Sequence, residues 1–409
     1  MATHGERARI VATGGGHRVT PAELFFDLVF VYAITQVTAL MAADPTALRL
    51  LGGAVVLALL WWCWCAYAWL GNVVRADFGT MFSVLVAVMA VVLVASLTVP
   101  HVYADEAGGL PVPLVFVLCY GAVRILHLVI YWISDPEDQA LHATLRRTAL
   151  FSVAPPFALL VVGSAFTGLT QVLIWLGAVL IDYLGIYVTG SSGWRVASPG
   201  HFAERHGLIV IIALGESIVA IGVGVSGFDV SAPVLAAAAV GLLVVAGLWQ
   251  LYFRRISEAA EHRLAGLDGD DRTRLARDVY TFLHLPLVAG VVLSALGMKK
   301  VLQQVADTEH YDLSEPLHGV VAWALSGGVG VFLVAAALIL LRVTGRRSVV
   351  LLVGGVLCLC AGALTVLVPA LLALALLAGV VAVILVLHGR TTGDGGEGQG
   401  SAEWASGAG

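Results

Sequence analysis

Residues Leu50–Leu70 read LLGGAVVLALLWWCWCAYAWL, with no charged side chain. An α-helix rises ~1.5 Å per residue and a bilayer's hydrocarbon core is ~30 Å thick, so about 20 such residues cross it. No water reaches that core to satisfy a backbone amide, and a helix satisfies its own. The stretch reads as a membrane-spanning helix.

The same ruler laid along the 409 residues gives twelve spans. They fall at 21–41, 50–70, 80–99, 110–133, 148–164, 168–189, 207–226, 233–253, 279–297, 317–341, 348–367 and 369–388. The span at 148–164 is short, and around Pro369 the chain reads either as one long hairpin or as a kinked pair. Composition agrees: 59% of residues are hydrophobic, mean hydropathy is +0.94 and only 12% are charged, against ~25% in soluble proteins. That arithmetic excludes a disordered chain, a disulfide scaffold and a nucleic-acid binder. The five cysteines all lie in apolar runs, and members of each Cys-X-Cys pair (Cys63 and Cys65, Cys358 and Cys360) point apart on a helix. The expected fold class is all-α, a polytopic bundle of about 12 spans embedded in lipid.

Basic residues set the orientation. With twelve spans both termini share one side, and 18 of the 22 Lys and Arg residues, from Arg7 to Arg390, fall there. Only Arg49, Lys299 and Lys300 lie opposite, and Arg124 lies inside a span. Both termini are expected in the cytoplasm. Residues 1–20 form a cytoplasmic tail without a cleavable signal, and Gly/Ser-rich 390–409 a disordered one. The arginine-rich loop 254–278 is expected to be a short amphipathic, solvated connector.

An internal repeat is expected, with 21–200 as the first six-helix half and 201–389 as the second. Ala22-Glu23 recurs as Ala203-Glu204 at an offset of 181, and Trp64-x-x-Tyr67 as Trp249-x-x-Tyr252 at 185. Arg75 and Arg277, before spans three and nine, stand 202 apart. Six spans per half is even, so the halves run in parallel orientation.

A charge at mid-membrane costs at least ~2.5–3.5 kcal/mol on insertion scales, so each needs a partner or a purpose. Span one carries Glu23 and Asp27 on one face, with Glu23 at the rim where water can reach it. Span four carries Tyr120, Arg124, His127 and Tyr131 at spacings of four, three and four, a single polar stripe. Span six has Asp182, span seven Glu216, and span nine His284 two residues before the helix-weakening Pro286. Arg124 stays charged, but one arginine cannot neutralise Asp27, Asp182 and Glu216 together. Two of these carboxylates are therefore expected to lack a cation and to be open to protonation. Asp27, Arg124, His127, Asp182 and Glu216 are the candidate ion-binding or coupling residues, with Glu23, Glu204 and His284 secondary. No P-loop, G-x-S-x-G or H-E-x-x-H occurs. His201 and His206, five apart, suit no common helix face. No enzyme activity, metal site or cofactor is expected.

Glu23-Leu24-Phe25-Phe26-Asp27-Leu28-Val29-Phe30 and Glu204-Arg205-His206-Gly207, running on to Leu214-Gly215-Glu216-Ser217, resemble the low-temperature-requirement A family of bacterial membrane proteins. Leu283-His284-Leu285-Pro286-Leu287-Val288-Ala289-Gly290 is a third resembling segment. His206 stands where an aromatic is expected. The family name records growth in the cold and implies no chemistry; the resemblance implies a bacterial inner (plasma) membrane location. Phe25-Phe26-Asp27 is also similar to the Phe-Ser-Asp signature that opens the six-helix repeats of endolysosomal and bacterial potassium channels, with Phe26 in the serine's place.

Three functions follow as expectations. The leading one is a secondary transporter of a small solute or ion, open to proton coupling, with Asp27 and Glu216 as coupling or substrate-binding acids and Arg124 as the counter-charge. The alternatives are a potassium-like cation channel and a non-transporting membrane stress protein, and a homodimer is the assembly to test. The topology is directly checkable. A reporter fluorescent only in the cytoplasm should light up when fused after Gly409, and Lys300→Cys should react with an impermeant thiol reagent from outside intact cells. The reverse pattern would invert the assignment.

Overall fold

The structure is a computed structural model that describes residues 18–75, 79–104, 109–189 and 193–393. Its helices are α1 (Pro21–Ala43), α2 (Ala47–Val73), α3 (Gly79–Thr98), α4 (Val112–Ser134), α5 (Gln139–Thr148), α6 (Ala154–Gly163) and α7 (Gly168–Thr189). There follow α8 (Pro199–Gly224), α9 (Ala232–Leu251), α10 (Glu258–Ala265), α11 (Gly269–Leu275) and α12 (His284–Ala306). The last three are α13 (Gly319–Thr344), α14 (Val349–Thr365) and α15 (Ala370–Gly393). The expected all-α class holds, and Pro316 and Pro369 form an isolated bridge.

Eleven helices among the described residues are long and apolar enough to cross a membrane, one fewer than the twelve expected. The difference lies at α14, which has 17 residues and ends at Thr365, four residues before Pro369. Near Pro369 the chain forms two separate helices, with the Ala370 amide donating to Glu315 O at 3.0 Å. The short span expected at 148–164 belongs to a longer one, Gln139–Gly163. The loop expected at 254–278 is largely helical and continues its neighbours, giving Ala232–Ala265 and Gly269–Ala306. Residues 1–17 and 394–409 of the expected tails lie outside the described residues.

The chain forms two compact units, one from residues up to Glu216 with Ala260–Leu285, the other from Ser217–Ala259 with residues from Pro286 onward. In the first unit α2 is the central element, buried almost without interruption from Val55 to Leu70. A helix apolar all round can be covered on every face. α4 is amphipathic the other way about: Tyr120, Arg124, His127 and Tyr131 are buried, whereas Leu118, Ile125, Val129 and Ile133 are each about half exposed. Polar atoms go inward because the solvent outside is hydrocarbon.

Two wide turns have a local cause. The segment Ala149–Val153 adopts a π-helical turn just before Pro155 and Pro156, and Ala276–Leu283 does so before Pro286. Proline has no amide to give the carbonyl four residues back and its ring crowds that carbonyl, so the turn widens. The weakening expected at Pro286 is therefore expressed upstream of it.

The second unit packs through glycine. A Cβ on Gly328 of α13 would fall 2.4 Å from Ser294 N and 2.6 Å from Gly290 O on α12, both backbone atoms that cannot swing aside. Two membrane helices gain dispersion energy by such close approach, since lipid is as apolar as their side chains. Gly328→Ala should cost ~1–3 kcal/mol or more, the usual range for overpacking. Gly327→Ala, whose Cβ meets nothing within 4 Å, should be near neutral; unfolding in detergent compares the two.

Candidate functional site

The first unit holds a buried charge network made by α1, α2 and α8. Thr20 caps α1, and the Glu23 side chain reaches back: Thr20 N and Oγ1 donate to Glu23 Oε2 at 2.9 and 3.0 Å. Thr-x-x-Glu is a capping box, so Glu23 has a structural task. Its other oxygen turns inward. Arg205 Nη1 of α8 approaches Glu23 Oε1 at 3.0 Å, and Arg205 Nη2 donates to Asp27 Oδ1 at 2.7 Å. Trp64 Nε1 of α2 also donates to Asp27 Oδ1, at 2.9 Å. Residues 23 and 27 lie one turn apart on α1, and residues 201 and 205 one turn apart on α8, so two helix faces meet charge to charge.

His201 completes the network in a defined tautomer. The Asn72 amide is oriented by Ser198, whose N–H donates to Asn72 Oδ1 at 3.1 Å and whose carbonyl accepts from Asn72 Nδ2 at 2.7 Å. The second Nδ2 hydrogen points to His201 Nδ1 at 3.2 Å, which must accept. His201 Nε2 therefore carries the proton and donates to Glu23, 3.0 and 3.1 Å from its two oxygens. Gly71 makes room, because a Cβ there would stand 2.6 Å from Glu23 Oε1. Glu23, Asp27, His201 and Arg205 are each at most 2% exposed. With His201 neutral the set holds two carboxylates against one guanidinium. Asp27 Oδ2 and Arg205 Nε are buried without a hydrogen-bond partner.

A second network joins α4 to α7. Arg124 Nη2 donates to Asp182 Oδ1 at 3.1 Å and to Ser152 O at 3.3 Å. Ser152 Oγ donates to Asp182 Oδ1 at 2.6 Å, and the Tyr120 hydroxyl donates to Asp182 Oδ2. Ser152 O is open to Arg124 because its helical partner would be the amide of residue 156, a proline. Here one acid meets one base, and the guanidinium stands 5.4 Å from the Trp62 ring.

The remaining candidates distribute as follows. Glu216 of α8 accepts from Thr35 Oγ1 of α1. His284 is buried, with Nδ1 donating to Val279 O at 2.9 Å and its ring stacked on Tyr280. Glu204 is exposed and accepts from Val19 N at 3.2 Å, outside the buried network. Among the described residues no group of three or more His, Cys, Asp and Glu is placed to hold a metal.

Two expectations are corrected. Asp27 has a cation, Arg205, counted above among the arginines of the cytoplasmic face; and Glu23 is buried rather than bathed at the rim. The overlooked signal was the i, i+4 pair His201 and Arg205, matching Glu23 and Asp27 in spacing. His206 sits edge-on to Trp64, with ring centroids 4.9 Å apart, and beside Phe202 and Tyr280. It takes an aromatic's place in that packing.

The family described as bacterial low temperature requirement A protein (LtrA) matches residues 18–386. The chain belongs to this family. It is a multi-span membrane protein, and the match begins at Arg18, taking in every residue of both LtrA-region networks. An uncharacterized protein of Rhizobium meliloti (strain 1021) is 26% identical over 338 residues, covering 79% of this chain and 77% of the relative. No solved structure matches.

The one-to-one network makes a stability prediction. Arg124→Met leaves Asp182 charged and buried, and breaking a buried pair from one side costs ~3–5 kcal/mol. Adding Asp182→Asn removes the orphaned charge and should recover part of that loss. Chemical unfolding of the two variants in detergent measures the difference; equal losses would mean that the pair is not coupled.

Proposed function

We propose that this LtrA protein is a secondary transporter of a small solute or ion, coupled to protons through the Glu23–Asp27–His201–Arg205 network. The observation that carries the reading is the charge balance of that network: two carboxylates, one guanidinium and a neutral histidine leave one negative charge in a buried place. A buried net charge is expensive, and one proton removes it. The geometry favours a single position for that proton. His201 already has both nitrogens engaged, Glu23 accepts on both oxygens, and Asp27 Oδ2 alone has no partner. The Arg124–Asp182 pair is neutral as it stands and has no such requirement, so its role is to hold α4 against α7.

Further support comes from repetition. Thr35 and Glu216, which hydrogen-bond to each other, are 181 residues apart, the same offset that relates Ala22-Glu23 to Ala203-Glu204. Helices related by a two-fold axis meet each other at equivalent positions, and parallel six-helix halves place their shared site near that axis. On this reading α14 counts as a twelfth span, both termini are cytoplasmic and the protein lies in the bacterial plasma membrane. A monovalent cation would also supply the missing charge, which is the channel's version of the same site.

Protein reconstituted in liposomes holding a pH-sensitive dye should move protons when solute or ion gradients are imposed. Asp27→Asn, which fixes the network at neutrality, should lower that flux by about tenfold or more while the protein stays folded. Unitary currents in planar bilayers would replace the transporter by the channel. If no gradient moves protons and Asp27→Asn alters only the melting temperature, the protein is a structural component and the proposal fails.

A further inference from the structure

A cavity in the first unit lies apart from the proton network and is open on one side. Its walls include Trp62, Arg124, His127, Thr148, Trp194 and Arg277. Four of these side chains carry atoms that are buried and have no hydrogen-bond partner: Trp62 Nε1, Arg124 Nε, His127 Nε2 and Thr148 Oγ1. Both charged residues in the wall are arginines. Their carboxylate partners, Asp182 and Asp278, are held behind them and do not line the cavity. Arg277 is fixed in place, with Nη2 2.7 Å from Asp278 Oδ1 and its guanidinium 4.5 Å from the Tyr187 ring centre. The ligand this wall suits offers acceptor oxygens and negative charge at one end and an apolar body against the indole rings at the other.

Size narrows the class. The cavity measures about 70 Å³, which is room for a small organic ion. Inorganic phosphate or sulfate has no apolar part to set against Trp62 and Trp194, whereas a short-chain organic anion has one. We infer that the cavity binds a short-chain organic monocarboxylate of about butyrate's size, its carboxylate taken by Arg124 Nε, Thr148 Oγ1 and Arg277. Guanidinium N–H groups and a hydroxyl hold a carboxylate through charge-assisted hydrogen bonds, and the indole walls exclude water around them. As a substrate site it rests on the transport reading. Binding itself needs no gradient, so the two can fail separately.

The test is equilibrium titration of the purified full-length protein in neutral detergent with sodium butyrate, read by tryptophan fluorescence, since indoles form the wall. Butyramide, of the same shape without charge, and butylammonium, of opposite charge, are titrated alongside. Saturable quenching by butyrate is expected, with both analogues at least tenfold weaker. Arg277→Gln and Thr148→Val, which leave the Arg124–Asp182 pair intact, should each weaken butyrate roughly tenfold, about the contribution of one hydrogen bond to a charged group. Butyrate binding without proton-coupled flux would sink the transport reading and leave this site standing. Proton-coupled flux with butyrate no stronger than butyramide, or with butyrate affinity unchanged in both variants, overturns the site.

Discussion

A charge inside a hydrocarbon layer has no solvent to answer it, so its counter-charge must come from another part of the chain. Arg205 is that answer for α1. It lies between Glu23 and Asp27, at 3.0 and 2.7 Å, and only a helix presenting residues 201 and 205 on one face can deliver it together with His201. The rest of the surroundings serve this contact. Thr20 fixes the start of α1, Gly71 lets α2 come close, and Asn72 sets the histidine's protons. Trp64 supplies the donor that a water molecule would supply in a soluble protein.

Proline has a related part in the second network. In a soluble helix a missing amide is made good by water; here the carbonyl must find a donor inside the protein. Ser152 O finds Arg124. Thr281, in the wide turn before Pro286, offers its carbonyl to Trp61 Nε1 at 2.8 Å and its hydroxyl to Trp69 Nε1 at 2.9 Å. Tryptophan is well suited to this, since it carries one donor on a large apolar ring. Trp61 and Trp69 of α2 thus both meet Thr281 in that irregular turn.

What the sequence made legible follows from length scales. Spans and the polar stripe of α4 are properties of 10–25 consecutive residues, and periodicity reports them directly. The π turns were half visible, because proline marks the break but not which side of it yields. Pairings were the hidden part. Arg124 could be assigned a carboxylate but not Asp182 in particular, because the choice depends on how α4 and α7 meet. Arg205 was misread for a simpler reason: it sits seven residues into α8, where a rule for counting cytoplasmic arginines and a buried site overlap. The spacing of His201 to Arg205 contained the answer, but only beside the matching spacing of Glu23 to Asp27. The cavity could not be read at all, since its walls come from six separate stretches of chain.

Glu23 and Asp27 leave the ribosome long before their cation does. Arg205 follows Asp27 by 178 residues, which at ~5–20 residues per second is about 10–35 s of synthesis. Arg124 waits only 58 residues for Asp182. Throughout the longer interval α1 has two carboxylates and no partner, each opposing insertion by ~2.5–3.5 kcal/mol if ionised at depth. Charge matching during synthesis therefore closes earlier for Arg124 than for α1, whose carboxylates are answered only once α8 is made.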